Sequence, residues 1–202
     1  MSTKRAIIAP AEKNRRRSRT ILYVSLAVVA IVLIVAVSLA SRVPKTASNA
    51  PTSANIKVGD AAPEFAVATT NGPFDLKTVL ASGKPVFLEV FATWCPHCQR
   101  ETTTIDGLYK RYGDKVGFVG VSGSQYAIDQ SSPESQMDVI GFQQQFHVTY
   151  PIAYDGELDV ANKYLQGGFP TIVVVDKSGK IAYINSGEID GKELAAQLQK
   201  VL

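Results

Sequence analysis

The sequence predicts an α/β fold, a central mixed sheet flanked by helices, carried behind one N-terminal transmembrane helix. Three observations predict it. From about residue 56 to the C-terminus, apolar runs of strand length alternate with stretches of helical period. The last third reads as a β-hairpin followed by a capped helix. Near the start, Ile21 to Ala40 is a run of 20 residues without a charge.

Taken in order, residues 1–19 are a basic tail. They hold seven Lys or Arg and one acid, Glu12, a charge of +6; the rest of the chain holds 14 basic and 17 acidic residues, or −3. The overall pI of 8.8 therefore reflects one short segment. It reads as an orientation signal and not as a nucleic-acid surface, so no nucleic-acid partner is expected. Residues 20–40 follow as the transmembrane helix, long enough to cross a hydrocarbon core of about 30 Å. The basic excess precedes the span. The tail is thus expected in the cytoplasm, and everything after it on the extracytoplasmic side of the cell membrane. Cleavage near Ala40, after Ser38-Leu39, is the alternative and would give a secreted domain. Residues 41–55, rich in Ala, Ser, Thr and Pro, read as a flexible linker.

Residues 56–202 form the domain. Phe65 to Ala68 and Pro85 to Phe91 read as strands, the second apolar almost throughout and so expected at the centre of the sheet. Pro96 to Tyr112 reads as a helix, with Ile105, Leu108, Tyr109 and Tyr112 on one face. Val116 to Val121 is a strand and Ser122 to Pro133 a polar loop. Met137 to Phe146 is a helix, Tyr150 to Tyr154 extended, and Leu158 to Tyr164 a short helix. Thr171 to Val175 and Ile181 to Asn185 make the hairpin, turned by Lys177-Ser178-Gly179. Asp190 and Glu193 form a capping box for a last helix whose Leu194, Leu198, Val201 and Leu202 share a face.

The chemistry sits in the only two cysteines, Cys95 and Cys98. Their spacing at a strand-to-helix junction brings the sulfurs within bonding distance and puts Cys95 at the helix N-terminus. Free backbone N–H groups and the positive end of the helix dipole favour a thiolate there. A thiolate is the attacking species in disulfide exchange. Cys95 is accordingly expected exposed and Cys98 buried one turn inside. A structural disulfide would close a longer loop. A zinc site needs four ligands, and the chain offers two His besides the cysteines. No metal and no cofactor are expected beyond a redox-active Cys95–Cys98 disulfide. His147, with no partner motif, reads as structural.

Three stretches carry a family resemblance: Val58-Gly59-Asp60-Ala61-Ala62-Pro63-Glu64-Phe65, Gly83-Lys84-Pro85-Val86-Phe87-Leu88, and Ala92-Thr93-Trp94-Cys95-Pro96-His97-Cys98. With Gly168-Phe169-Pro170-Thr171 and the Val175 to Lys180 turn, they resemble the TlpA/ResA-type branch of the thioredoxin-like proteins. These are membrane-tethered thiol–disulfide oxidoreductases of the bacterial cell envelope. The resemblance implies a thioredoxin-like fold, Cys95 as nucleophile and Cys98 as resolving thiol. It makes Pro170 the cis-proline facing the site and leaves the Phe169 backbone free to pair with a client strand. Trp94, Pro96 and Phe169 would line the client contact. Glu89 matches the buried acid that relays a proton for Cys98. Glu101, three residues after Cys98 and four after His97, matches the branch's glutamate and is expected to pair with His97.

Three residues depart from the pattern: Thr103 where a Pro is common, Gln166 where a Val is usual, and the dipeptide Pro96-His97, which belongs to the strongly oxidising DsbA proteins. The resemblance implies a reductase of exported proteins, for example in cytochrome c maturation, recharged by a membrane electron carrier. The dipeptide implies the alternative, a DsbA-like oxidase recharged by an oxidant. A peroxiredoxin would need Thr or Ser where Ala92 stands. A Sco-like copper-binding assembly factor, using Cys95, Cys98 and His147, is the remote alternative; such proteins separate their cysteines by three residues and not two.

Overall fold

The computed structural model describes Tyr23 and residues 54–202. The expected basic tail, the expected transmembrane helix except Tyr23, and the expected linker except Ala54 and Asn55 lie outside the described residues. Among the described residues no helix is long and apolar enough to cross a membrane.

The domain is one seven-stranded mixed sheet. Its strands are β1 (Ala66–Thr69), β2 (Gly72–Asp75), β3 (Val86–Phe91), β4 (Gly117–Ser122), β5 (Ile152–Tyr154), β6 (Thr171–Val175) and β7 (Ile181–Ser186), in the order β2-β1-β5-β4-β3-β6-β7. Its helices are α1 (Leu76–Ala81), α2 (Pro96–Tyr112), α3 (Gln136–Gln145), α4 (Asp159–Tyr164) and α5 (Gly191–Gln199). β3 lies parallel to β4 and antiparallel to β6, and is buried at all six positions, as its apolar run requires.

Alternation along β3 sorts its side chains between two cores. Val86, Leu88 and Val90 pack with Val160, Ala161 and Tyr164 of α4. Phe87 and Phe91 pack with Cys98, Ile105 and Leu108 of α2 and with Leu194 and Leu198 of α5. Glu89 has the parity of Phe87 and Phe91, so the strand turns its one carboxyl toward the α2 side.

The Pro96 to Tyr112 helix keeps its expected bounds and continues unbroken through Thr103. Pro96 stands at its start, where a missing N–H costs nothing. The helix stops at Gly113, where a Cβ would meet the Tyr109 carbonyl oxygen at 2.7 Å. β2 and α1 were not expected. β2 is a four-residue edge strand that tolerates Pro73. α1 has six residues and buries only Leu76, too little for a helical period to register.

At the other end Asp190 caps α5 as expected, accepting from the Lys192 and Glu193 N–H groups. Glu193 does not close the expected box; its carboxylate engages Tyr183. The reciprocal box forms instead between Ser135 and Asp138 at the start of α3. α5 ends at Gln199, so Leu202 leaves the expected apolar face and is exposed. His147 is exposed, in the left-handed region just past α3 (φ 54°).

Candidate active site

β3 delivers the chain to a short connection, Ala92-Thr93-Trp94, that is held on every side. Thr93 Oγ1 donates to Glu134 Oε1 at 2.8 Å. Gln99 Nε2 donates to the Thr93 carbonyl at 2.9 Å. Trp94 Nε1 donates to Ser124 Oγ at 2.7 Å. The Cys95 N–H closes a turn onto the Ala92 carbonyl at 3.0 Å. Cys95 is then the N-cap of α2, in extended backbone, with no side-chain cap competing for the helix N–H groups.

The Phe169–Pro170 bond is cis. The Phe169 carbonyl lies 3.5 Å from Cys95 Sγ, and the Phe169 ring meets Trp94 edge-on, centroids 5.9 Å apart. Trp94, Cys95, Phe169 and Pro170 are thus brought together although 74 residues separate Cys95 from Phe169. Cys95 is less open than expected: it keeps 4% of its surface against 0% for Cys98, because the Phe169 segment lies over it.

The two thiols, both free, are electrostatically unlike. Cys95 is brought down to about 6, chiefly by a hydrogen bond from the Cys98 thiol, then by the Cys98 and His97 backbone N–H groups and the His97 ring, with burial opposing. Cys98 is pushed far up, first by burial, then by its bond to Cys95 and by the Glu89 charge. One sulfur is ready to attack and the other keeps its proton.

Two carboxyls stand beneath this pair. Glu89, 1% exposed, is pushed up to about 8 by burial, held back by a hydrogen bond from the Tyr150 hydroxyl to Oε2 at 2.9 Å and raised further by Glu101. Glu101, 3% exposed, is raised by burial, while the Ile189 N–H donates to its Oε2 at 3.2 Å. Oε1 of each has no hydrogen-bond partner among the described residues.

The expected Glu101–His97 pair does not form. Helical twist puts Glu101 inside with Cys98 and Ile105, while His97 and Arg100 face solvent. His97 Nδ1 lies 3.1 Å from Glu188 Oε2 and 2.8 Å from Arg100 Nη2, and Arg100 Nε reaches Glu188 Oε1 at 2.7 Å. Glu188, between β7 and α5, is the partner that α2 spacing alone does not reveal. Its carboxyl is held below the usual range by Arg100 and then His97.

Sequence reasoning also missed Tyr150 and Glu134. Tyr150 lies in a stretch whose extended pattern does not single it out, and nothing in the sequence around Glu134 marks it as buried. It is 5% exposed, accepts from Thr93 Oγ1 and from Ser122 Oγ at 2.7 Å, and is pushed up to about 7 by burial. Among the described residues no cluster of three or more His, Cys, Asp or Glu side chains is arranged to hold a metal ion.

Known proteins resemble this arrangement. The family model described as Redoxin matches residues 57–202. The thiol–disulfide oxidoreductase ResA of Bacillus cereus (strain ZK / E33L) is 31% identical over 147 residues, 72% of this chain and 79% of that protein. The thioredoxin-like protein YneN of Bacillus subtilis (strain 168) is 32% identical over 145 residues, 71% of this chain and 79% of that protein. Among solved structures, the thioredoxin domain of a thiol–disulfide oxidoreductase from Bacteroides vulgatus aligns with a TM-score of 0.58 at 23% identity, over 73% of this chain and 100% of that one. That last likeness speaks to the fold.

Proposed function

This chain belongs to the Redoxin family, in the TlpA/ResA-type thioredoxin-like branch of protein thiol–disulfide oxidoreductases, and from that membership we propose that it works outside the cytoplasm as a reductase of exported proteins through Cys95 and Cys98. The observation that carries the reading is the division between the thiols: Cys95 brought down to about 6 and Cys98 pushed up by burial.

In the forward step the Cys95 thiolate attacks a client disulfide. A mixed disulfide forms and one client thiolate leaves. Cys98 then loses its proton and attacks Cys95 Sγ. The second client thiolate leaves, the client gains two electrons, and Cys95 and Cys98 end as a disulfide. A membrane electron carrier returns the dithiol. Clients such as apocytochrome c thiols suit this direction, because Glu188 lies against the His97 ring and the buried Glu89 helps to push the Cys98 thiol up. The oxidase reading rests on the same Cys95 value together with His97 beside it; a thiol that favours its thiolate makes the reduced form more stable and the couple more oxidising.

Two experiments test this. Cys98→Ser should accumulate client mixed disulfides on Cys95, and trapping by Cys95→Ser instead would invert the roles. Equilibration with glutathione buffers, read by Trp94 fluorescence, should give a reduction potential of roughly −170 to −240 mV, between the DsbA and thioredoxin values. A value near about −120 mV would favour the oxidase. The proposed orientation predicts that protease reaches residues 56–202 in intact cells stripped of their wall; protection until permeabilisation would reverse it.

A further inference from the structure

We infer that Tyr150 is a positioning residue for proton exchange at Cys98: by holding Oε2 of Glu89 it leaves Oε1 as the atom that takes and returns the Cys98 proton. This rests on the thiol–disulfide reading above.

Geometry carries it. Glu89 sits mid-strand in β3, and its register partner on β4 is Gly120. A Cβ built on Gly120 would stand 3.0 Å from Tyr150 Cε2, 3.1 Å from Ile152 Cγ2 and 3.4 Å from Phe91 Cε1. The missing side chain therefore makes room for the Tyr150 ring beside Glu89. Tyr150 is itself fully buried, in the same cluster as Cys98, and its hydroxyl donates to Glu89 Oε2 at 2.9 Å. A buried carboxyl with one oxygen satisfied and the other open is asymmetric. The satisfied oxygen is a fixed acceptor, and the open one is where a proton can come and go. The titratable groups that act on Glu89 are Tyr150, Glu101 and Cys95, and Glu89 in turn acts on Cys98; Asp106 and Cys98 also bear on Tyr150.

The step balances. In disulfide closure the Cys98 proton passes to Glu89 Oε1, the Cys98 sulfur bonds to Cys95 Sγ, and the Cys95–client S–S bond breaks with its electron pair on the leaving client thiolate. The proton on Glu89 returns to solvent or to that thiolate. The Tyr150 bond favours the ionised carboxyl against burial, and so sets the pH at which Glu89 can act as base.

The test uses the reduced full chain and saturating glutathione disulfide as probe, with Trp94 fluorescence separating Cys95 attack from first-order closure at each pH. Losing one hydrogen bond to a carboxylate raises its midpoint by about one pH unit. From a carboxyl near 8, the ionised fraction at pH 8 then falls about fivefold. Tyr150→Phe is expected to slow closure about fivefold at pH 8, to shift its pH profile upward, and to have little further effect in a Glu89→Gln background. Gly120→Ala, which crowds the same ring, should shift the profile the same way and serves if Tyr150→Phe does not fold. A profile that stays in place in both variants, or attack and closure slowed by the same factor, would overturn the assignment while leaving disulfide exchange intact. A wild-type chain in which neither step occurs would instead remove the thiol–disulfide reading itself.

Discussion

The site owes its asymmetry to individual environments. Cys95 and Cys98 are chemically identical, yet one is brought down to about 6 and the other pushed far up, because the first meets hydrogen-bond donors at a helix start and the second is buried, bonds to Cys95 through its own proton and faces a carboxyl. His97 contributes to the first effect from the surface, with Arg100 and Glu188 against it. Exposed charges are weak and screened. His97→Ala should therefore raise the Cys95 thiol only slightly and make the couple more reducing by on the order of 10 mV. Iodoacetamide reactivity against pH and glutathione equilibria would measure both. A shift toward a more oxidising couple would contradict the role given to the ring. Glu101→Gln should be coupled to His97 only through Glu188, which raises the Glu101 carboxyl and holds His97 Nδ1 at 3.1 Å; a double-mutant cycle on the reduction potential would measure that coupling.

Elements meet the site at one shared anchor. Glu134, just before α3, ties Thr93 of the β3–α2 connection to Ser122 at the end of β4. The next residues, Ser135 and Asp138, close the capping box of α3. A single segment thus starts a helix and pins the approach to Cys95. Glu134→Ala would leave two buried hydroxyls without their acceptor, at about 1–3 kcal/mol each before relaxation. We expect a loss of about 2–4 kcal/mol in urea unfolding and a more mobile Trp94 emission. Unchanged stability would mean that Thr93 and Ser122 find other acceptors. By contrast Ile105→Ala, on the α2 face packed under β3, should cost about 2–5 kcal/mol without altering Trp94.

The whole molecule carries buried acids whose titration links redox state to stability. Glu89 near 8 and Glu134 near 7 keep protons in the folded state that the unfolded chain has lost above about 4.5. Their stabilising contribution is full below that value and is lost as pH rises through 7 to 8. Cys95 works the other way in the reduced protein. Its folded value near 6 lies below its ordinary 9, so it adds stability from pH 6 upward. The oxidised protein should therefore lose stability between pH 5 and 8, and the reduced protein should lose less over pH 6–8. Urea unfolding of both forms at four pH values would check this. An oxidised form whose stability is flat across that window would deny that the two carboxyls are buried as described.

Much of this was legible in the sequence because it depends on neighbours along the chain. The bounds of α2, the buried run of β3, the β6–β7 hairpin and the Asp190 cap follow from period, turn residues and capping, all local effects. The Cys95–Cys98 spacing at a strand-to-helix junction is local too. What only the tertiary structure decided are meetings across the sheet and between distant loops. Tyr150 reaches Glu89 through the space left at Gly120, Glu188 takes His97 from Glu101, Glu134 sits under Thr93, and Phe169 covers Cys95. No residue's own sequence neighbourhood encodes these contacts. They arise because packing α2, α3 and the β7–α5 connection around one sheet sets which polar groups share a low-dielectric interior, and burial then moves their proton affinities.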